Sequence, residues 1–385
     1  MVIALAFLPL AVHAQGPLIP EPYKPGLTAL TDLGTGTYQG HQGGLYPGGV
    51  NVIPAVHSAA GRLMADRILP RDAVGNVDLV NGKIVMLSIG LSNTEQVFEN
   101  FIPLAEADPL VNGKIVFVNT AQGSMAVHEW ANPLEPDYPI IWSTFDARLA
   151  AAGVTAAQVQ VAWMKHTTVS GMIAPFPAGA TQVNDWMRQT LQLAKARCPN
   201  LVAAYCTSRV YAGYANKNLN PEPDSYENGF SVKWLIEDQI NGDPELAFDG
   251  PSPKAPWLCW GAYNWTNGLG PDLVEGGAGG RSDNLEWHLS DMAADGTHPS
   301  DPQGRNKQAN LLLNWLKNEP TCVPWFVASL PAPPPQGDER GSSRGCGSSG
   351  SAGNALPMLL AMVILMAFSA ARKLHRPSPA LRARR

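Results

Sequence analysis

Apolar residues in the first third of the chain come in short runs that do not alternate with polar residues. The segment Val80-Asn81-Gly82-Lys83-Ile84-Val85 recurs as Val111-Asn112-Gly113-Lys114-Ile115-Val116, and each copy leads into an apolar run, at 84–89 and 115–118. Unbroken apolar runs are typical of strands covered on both faces, and a strand–helix–strand unit of about 30 residues joins parallel strands. We therefore expect two parallel strands connected by a helix over residues 94–107.

The same alternation of apolar runs and helical patterns continues along the chain. Further strands are predicted at 159–164 and 201–207. Helices are predicted at residues 57–69, 144–152, 183–196, 231–240 and 305–317. This order of elements predicts the fold class α/β, as a three-layer α/β/α arrangement around a doubly wound, mostly parallel sheet. In such sheets functional sites lie outside the carboxyl ends of the strands, so the residues directly after each strand are the first candidates for chemistry.

The amino-acid composition argues against one class of partner, nucleic acid, but does not indicate an activity. Of the 385 residues, 45% are hydrophobic, so a large core can be buried. Only 15% are charged and the formal net charge is −5, whereas a protein that binds nucleic acid presents a basic face. We therefore expect no nucleic-acid partner.

The two ends of the chain carry patterns that predict export. Residues 1–14 are apolar and end in Val12-His13-Ala14, the small-x-small form of a signal-peptidase site, with a buried first strand as the alternative. Residues 355–371 are almost continuously apolar and are followed by basic residues, which predicts a membrane span and a cytoplasmic tail. The predicted organisation is a signal peptide (1–14), an irregular segment (15–79), the main domain (80–330), a Pro/Gly/Ser-rich linker (331–354), the membrane span (355–371) and the basic tail (372–385).

A Gly-Cys-Gly motif at Gly345-Cys346-Gly347 precedes the apolar stretch. Together with the basic tail it resembles the C-terminal sorting signals of bacteria, which a processing protease reads. The resemblance implies a sorting protease as a partner, and a plain single-span anchor is the alternative. In both cases the main domain is expected in the cell envelope, outside the cytoplasmic membrane, either anchored or released after processing.

Cysteine usage in the main domain is consistent with an oxidising compartment. Four of the five cysteines lie there, at Cys198, Cys206, Cys259 and Cys322. An even number in an exported protein predicts one or two disulfides, with three pairings open, and free buried thiols are the alternative.

Ser92 occupies the position that directly follows the first predicted strand. Gly90 permits a sharp turn there, and a helix that begins at Ser92 would supply free N–H groups and partial positive charge. This setting suits a nucleophile whose attack produces an oxyanion. The alternative is structural, because Ser92-Asn93-Thr94-Glu95 also matches the capping box of a helix N-terminus.

A second motif, Asp295-Gly296-Thr297-His298, lies in a segment too rich in Gly, Pro and Ser for a helix interior. It places a carboxylate three residues before an imidazole. A serine hydrolase needs such a base to take the proton of the hydroxyl, and such an acid to orient the base. The alternative is an aspartate that caps a turn beside a surface histidine.

Taken together, these motifs resemble the SGNH (GDSL-like) hydrolases, and look like a divergent bacterial branch with S-I-G-x-S-N-T. The matching positions are Ser92 in G-L-S-N-T, Gly123 in A-Q-G-S, and Asp295 with His298 in D-G-T-H-P, over roughly residues 80–318. The resemblance implies a flavodoxin-like fold and a Ser-Asp-His triad that hydrolyses esters. It also implies an oxyanion hole made by the N–H groups of Ser92 and Gly123, and no metal or organic cofactor.

The chain departs from the family pattern in two places, and the second departure concerns the oxyanion hole. Gly-Leu-Ser stands where the family has Gly-Asp-Ser, and the family's G-x-N-D block is absent after the third strand, where Trp163-Met164-Lys165-His166 is found. The asparagine of that block is an oxyanion donor in the family. Lys165, Asn93 or Asn119 could donate in its place. Arg209, just past the fourth strand, could contact the substrate in the cleft, or could instead pair with a nearby acid.

Three other groups of residues are weaker candidates. His288 and Asp291 with the Asp295/His298 pair could suggest a metal site, but Gly296 and Pro299 break the helix that this spacing needs, so no metal is expected. Ser124 is a rival nucleophile without a G-x-S-x-G elbow. The aromatic residues Trp257, Trp260, Tyr263 and Trp265 could stack on sugar rings, although such residues more often pack in a core.

Three hypotheses of function follow from these patterns. The first is an exported, membrane-anchored serine esterase that acts on a small-molecule ester or on acylated carbohydrate. The alternative is a catalytically weak or inactive module of the same fold that binds a glycan or an envelope partner. The third is a structural protein of the envelope, in which Asp295 and His298 are ordinary loop residues.

Overall fold

Five apolar runs form one parallel sheet in the computed structural model, which describes residues 27–267 and 281–328. The strands are β1 Ile84–Gly90, β2 Ile115–Asn119, β3 Val159–Lys165, β4 Ala203–Cys206 and β5 Trp257–Trp260. Every residue of β1, β3, β4 and β5 is buried, as expected for strands covered on both faces. The strand order is β2-β1-β3-β4-β5, which is the flavodoxin-like order with its switch point between β1 and β3.

Helices cover both faces of this sheet. They are α1 Ala55–Ala65, α2 Ser92–Ala107, α3 Val127–Ala131, α4 Tyr138–Ala151, α5 Ala178–Arg197, α6 Asp224–Ile240 and α7 Gln303–Asn318. Helices α2 and α7 pack against each other in one layer, while α3, α5 and α6 pack in series in the other. The chain also forms a two-stranded hairpin, Thr37–Tyr38 with His41–Gln42, and short helices at Leu30–Leu33 and Val323–Phe326. The predicted three-layer α/β/α class is confirmed.

Helix α2, which carries the candidate nucleophile, is held by its apolar face. Val97, Phe98 and Phe101 recur at helical spacing and are fully buried, and the Phe98 ring stacks on Trp163 of β3 with ring centroids 5.8 Å apart. Each such side chain contributes about 1.5–3 kcal/mol when buried. Their burial offsets Pro103, which lies inside the helix and costs roughly 3 kcal/mol.

The sequence pattern placed most elements correctly but started several helices too late. Helix α4 begins at Tyr138 rather than 144, α5 at Ala178 rather than 183, and α6 at Asp224 rather than 231. A proline stands in the first turn of α4 and at the N-cap of α5 and α6. Proline is tolerated at a helix start because the N–H it lacks has no intrahelical acceptor there. Strand β5 was not predicted, because its Trp-Leu-Cys-Trp run looked like part of an aromatic loop.

The expectation of disulfides is wrong for the four cysteines of the main domain. Cys198, Cys206, Cys259 and Cys322 are all free and buried. Cys206 and Cys259 lie on the adjacent strands β4 and β5, but Cys206 is in register with Trp260, so the two thiols are offset by one residue and point to opposite faces of the sheet. Burial raises the pKa of Cys198 and of Cys206 to about 12, which leaves these thiols unreactive.

The predicted signal peptide, linker, membrane span and basic tail lie outside the described residues. Within the ranges that are described, none of the helices is both long enough and apolar enough to cross a membrane. The segment around residues 30–57 contacts β5 and the loop that follows it. The Leu30 N–H donates to Tyr263 Oη at 3.1 Å, and Trp260 Nε1 donates to the Leu45 carbonyl at 2.7 Å. The four aromatic residues proposed for sugar stacking, Trp257, Trp260, Tyr263 and Trp265, are buried in the core.

Candidate active site

Ser92 is the first residue of α2, directly beyond the carboxyl end of β1. The chain turns tightly here. A Cβ atom on Gly90 would lie 2.3 Å from the Lys165 carbonyl oxygen and 2.4 Å from Thr94 Oγ1, so only glycine fits. Because Ser92 is at the helix start, its N–H has no intrahelical acceptor and lies at the positive end of the helix dipole.

The loop between residues 292 and 299 holds its own aspartate and histidine in place. Asp295 Oδ1 accepts the N–H groups of Thr297 and His298, both at 3.0 Å. Gly296 has a φ of +71°, and a Cβ atom there would overlap the Tyr214 carbonyl. This turn requires glycine between the acid and the base, and it directs both side chains toward the start of α2.

Ser92, His298 and Asp295 form a continuous hydrogen-bonded chain, which we call the relay. Ser92 Oγ lies 2.7 Å from His298 Nε2, and His298 Nδ1 lies 2.6 Å from Asp295 Oδ2. Since an ionised carboxylate only accepts, Nδ1 carries the proton that it donates to Asp295, and Nε2 is the acceptor of the Ser92 hydroxyl. The structure thus brings Ser92 together with a histidine and an aspartate that lie about 200 residues further along the sequence.

Asp295 is ionised at neutral pH. Burial raises its pKa, but the hydrogen bonds from the His298 ring and from the N–H groups of His298 and Thr297 outweigh burial, and the net pKa lies well below the usual value. An ionised carboxylate fixes the tautomer of His298 and stabilises an imidazolium when it forms.

A pocket of about 220 Å³ opens beside the relay. It is lined by Leu91, Ser92, Ser124, Val169, Arg209, Leu219, Asn220, Thr297 and His298. Ser124 lies in this lining, but His298 bonds Ser92 and not Ser124. The volume is suited to a group of a few heavy atoms rather than to a long chain.

The capping-box alternative for Ser92 is not what the structure contains. Leu91 is the N-cap of α2, and the Ser92 hydroxyl bonds His298 instead of the helix backbone. The Glu95 carboxylate pairs with Arg148 at 2.9 Å and accepts the Gly123 N–H, also at 2.9 Å.

This last contact changes the expected oxyanion hole. Gly123 lies against Ser92, since a Cβ atom on it would be 3.7 Å from Ser92 Cβ, yet its N–H points to Glu95 Oε2 rather than into the pocket. Of the two N–H donors implied by the family resemblance, only that of Ser92 is left without an acceptor among the described residues.

Asn93 and Lys165 do not reach the pocket. Lys165 Nζ is buried and donates to Asn93 Oδ1 at 3.2 Å and to Gln308 Oε1 at 2.5 Å; we call these three residues the Lys165 cluster. Asn93 Nδ2 donates to the Thr297 carbonyl at 2.9 Å. Asn93 and Lys165 therefore support the walls of the site, and neither lines it. Asn119, the third residue named as a substitute for the missing oxyanion donor, donates to the Glu95 carbonyl at 2.9 Å and is not part of the pocket lining either. Burial lowers the pKa of Lys165 well below its usual value, and the charge of Arg209 lowers it further.

Arg209 does line the pocket. It follows β4 by three residues, is 4% exposed, and donates from Nη2 to Thr297 Oγ1 at 2.5 Å. The alternative that it pairs with an acid is not realised, because no carboxylate of residues 27–267 or 281–328 lies within 4.0 Å of its nitrogens.

Sequence reasoning missed two residues that complete the lining, Thr297 and Asn220. Thr297 is the third residue of the D-G-T-H motif, so the motif itself could have pointed to it. Its hydroxyl accepts a hydrogen bond from Arg209 and so links the loop to that residue. Asn220 has a positive φ of 56°, and its amide donates to the Thr168 carbonyl at 2.7 Å. It follows no strand and belongs to no motif, so no pattern in the sequence pointed to it.

The residues considered for a metal site have other partners. His288 Nε2 lies 3.1 Å from Glu286, and Asp291 pairs with Lys307 at 2.6 Å. Among the described residues, no group of three or more His, Cys, Asp or Glu side chains is arranged to hold a metal ion.

Comparisons with known proteins give distant likeness only. No protein-family model and no curated protein sequence matches the chain significantly. Solved structures that are similar to it include a protein of Slackia heliotrinireducens provisionally described as an SGNH hydrolase, at 14% identity and a TM-score of 0.29, covering 61% of this chain and 100% of that one.

Two further solved structures are similar at the same level. Protein YXIM of Bacillus subtilis matches at 11% identity and a TM-score of 0.31, covering 62% of this chain and 57% of that chain. The periplasmic domain of the lipopolysaccharide acetyltransferase of Salmonella ser. Paratyphi A matches at 13% identity and a TM-score of 0.33, covering 69% of this chain and 95% of that chain. Likeness of this degree assigns no activity to the chain.

Proposed function

We propose that this protein is a serine-dependent acyl hydrolase that cleaves esters, with Ser92 as nucleophile, His298 as general base and Asp295 as the residue that orients His298. The observation that supports this most strongly is the relay beside the pocket, with contacts of 2.7 and 2.6 Å. If Asp295 and His298 were ordinary loop residues, a hydrogen bond between His298 and a serine at the start of a helix would not be expected.

In the proposed reaction His298 Nε2 takes the Ser92 proton as Oγ attacks the ester carbonyl. The tetrahedral intermediate collapses as the imidazolium gives that proton to the departing alcohol, which leaves an acyl group on Ser92. Water, deprotonated by the same nitrogen, then attacks the acyl-enzyme and releases the acid. Each step moves one proton between Nε2 and the reacting oxygen, and needs neither metal nor organic cofactor.

The negative charge that forms on the carbonyl oxygen needs donors. The Ser92 N–H at the start of α2 is one of them. Gly123 can act as a second only if its N–H leaves the Glu95 carboxylate, which it reaches at 2.9 Å in the unliganded protein. Loss of a single donor typically lowers kcat by about 10²–10³-fold, so this contact limits the rate that we expect.

The setting of the reaction is a further part of the proposal. The apolar segment at 1–14 and the segment from 355 to 385 support an exported protein held at the membrane, or released from it by a sorting protease. Acylated carbohydrate of the envelope is the substrate that this location favours.

The test is hydrolysis of 4-nitrophenyl acetate by the purified protein, together with covalent labelling by an organophosphonate probe. Ser92→Ala is expected to lose labelling and to lower kcat by roughly 10⁴-fold or more, because the nucleophile is gone. Ser124→Ala, which removes the other serine hydroxyl of the pocket, keeps the label. Equal labelling of wild type and Ser92→Ala contradicts the proposal.

The alternative, a binding module without turnover, is favoured by the engaged Gly123 N–H. It predicts that wild type and Ser92→Ala are equally inert toward esters while both retain affinity for a glycan. Glycan-array binding of the two proteins, measured beside the esterase assay, separates the hypotheses.

A further inference from the structure

Arg209 is a buried cation whose hydrogen bonds go to neutral oxygens. Its Nε donates to Ser225 Oγ at 3.2 Å, and its Nη2 donates to Thr297 Oγ1 at 2.5 Å and to the Leu219 carbonyl at 3.4 Å. The guanidinium is therefore fixed in position without being neutralised. Burying an unpaired charge is unfavourable, so such a residue usually has an anionic partner.

One nitrogen of this guanidinium is left for that partner. Among the described residues, Nη1 has no hydrogen-bond partner, and it is not sealed from solvent. Arg209 lines the pocket that Ser92 and His298 also line, while only 4% of the residue is exposed. The residue that carries the open donor thus lines the same pocket as the proposed nucleophile.

The nearest acids are already engaged elsewhere. Glu222 accepts the N–H groups of Ala212 and Tyr226 and the Trp265 indole N–H, at 2.8–3.0 Å. Asp295 accepts from His298 and from the backbone of its own loop. Glu222 and Asp295 attract Arg209 electrostatically, but both carboxylates lie beyond ion-pair distance. Burial lowers the pKa of Arg209 to about 10, so the guanidinium remains charged at neutral pH.

The rest of the pocket wall suits a short carbon chain. Leu91, Val169 and Leu219 add apolar surface to the pocket that Ser92 and Arg209 also line, and the volume is about 220 Å³. A short apolar chain that ends in a charge matches a lining that combines a reactive hydroxyl, apolar side chains and a guanidinium. A carboxylate is a small anion that can accept charge-assisted hydrogen bonds from the N–H groups of the one open nitrogen, Nη1.

We propose that Arg209 selects esters whose short acyl group ends in a carboxylate, that is, half-esters of a small dicarboxylic acid. This rests on the proposed function in that Ser92 attacks the ester carbonyl while Arg209 binds the carboxylate at the other end. The acyl group remains in the pocket on Ser92 and the alcohol departs toward solvent. Arg209 is then a specificity-determining residue, distinct from the relay.

The experiment compares two activated esters of the same acyl length, the 4-nitrophenyl half-ester of succinate and 4-nitrophenyl butyrate. Wild type is expected to prefer the half-ester by about 10–100-fold in kcat/KM, the range of a charge-assisted hydrogen bond. Arg209→Met brings that ratio close to one, and Arg209→Lys retains part of it. Arg67→Gln, which removes an exposed arginine paired with Asp249, is the matched control and leaves the ratio unchanged.

Two kinetic outcomes overturn the proposal. If Arg209→Met keeps the wild-type preference, Arg209 does not read the carboxylate. If Arg209→Met slows both esters by the same factor, Arg209 acts on the oxyanion, which both substrates share, and not on the substrate charge. Circular dichroism of Arg209→Lys, which keeps the charge, identifies any loss due to misfolding.

A binding measurement keeps this proposal separate from the proposed function. Succinate itself is titrated into wild type, Ser92→Ala and Arg209→Met by calorimetry. Binding to the first two and not to the third supports the carboxylate site even if no ester is hydrolysed. Absence of succinate binding to wild type, or equal binding to Arg209→Met, contradicts it even if Ser92 proves to be the nucleophile.

Discussion

Ser92 and Asn93 are neighbours in sequence and at the start of one helix, yet they belong to two clusters with opposite properties. Ser92 joins the relay, which faces a pocket, and Asn93 joins the Lys165 cluster, which is buried. Both clusters lie at the carboxyl edge of the same sheet, and both contain groups able to donate and accept protons. This difference shows that the chemical type of a side chain does not identify a reactive group. The Lys165 amine donates only to buried amide oxygens, whereas the Ser92 hydroxyl at the end of the relay lines the pocket.

The two clusters are also mechanically linked. Asn93 accepts from Lys165 through its oxygen and donates to the Thr297 carbonyl through its nitrogen. Thr297 precedes His298 in the chain. The buried cluster therefore holds the loop that carries the base, and we assign its residues a positioning role rather than a catalytic one.

The largest effect is expected when the relay is broken at its buried end. Asp295→Asn should lower kcat on 4-nitrophenyl acetate by roughly 10³–10⁴-fold, because an amide no longer fixes the productive tautomer of His298. Asp301→Asn, a change to an exposed acid of the same loop region, serves as control. A loss below tenfold for Asp295→Asn, with the fold intact by circular dichroism, would remove the relay from catalysis.

A smaller effect, on stability rather than on rate, is expected in the Lys165 cluster. Lys165→Ala should lower the free energy of unfolding by roughly 2–5 kcal/mol, since it leaves a cavity and two unsatisfied amide oxygens. Lys165→Met fills the cavity and should cost less. Urea unfolding measures both, with Lys254→Ala at an exposed ion pair as the control. If Lys165→Ala were as stable as wild type and yet inactive, Lys165 would belong with the reacting groups.

The smallest effect, taken per unit of pH, is a pH dependence of the free energy of unfolding that should come from Lys165. The unfolded chain keeps the Lys165 proton up to about pH 10.4, whereas burial, and then Arg209, lower the pKa of Lys165 in the folded protein. Between those two values the unfolded state binds more protons, so the stability of wild type rises with pH there.

Lys165→Met lacks this contribution. The stability of wild type relative to Lys165→Met should therefore increase as the pH rises toward about 10.4, by at most about 1.4 kcal/mol per pH unit. Urea unfolding of the two proteins at several pH values measures it. A constant difference over that range would mean that the fold does not lower the pKa of Lys165.

Much of the sheet could be predicted from the sequence because its signals are local. The repeated turn and apolar run that form β1 and β2, the tight turn at Gly90, and the three-residue spacing of Asp295 to His298 each depend on a few neighbouring residues of the chain. The elements that were missed depend on context. The residues of strand β5 are of the types that also occur in aromatic loops, and the segment is a strand because it pairs with β4.

The pairing of cysteines illustrates the same limit. Four cysteines in a predicted exported domain suggest bridges by number alone, but whether two thiols meet depends on register. A shift of one residue between β4 and β5 places Cys206 and Cys259 on opposite faces. No feature of the sequence around either residue encodes that shift.

By itself the sequence determined the α/β class, the order of most elements and the identity of a hydroxyl, an imidazole and a carboxylate worth testing, because strand and helix periodicity and turn chemistry are properties of neighbouring residues. Only the tertiary structure decided which donors remain open: it engaged Gly123 with Glu95, buried Lys165 against two amides, and left one edge of Arg209 at the pocket. The physical reason is that an N–H donor can bind substrate only when the fold leaves it without an acceptor, and the acceptors come from distant parts of the chain.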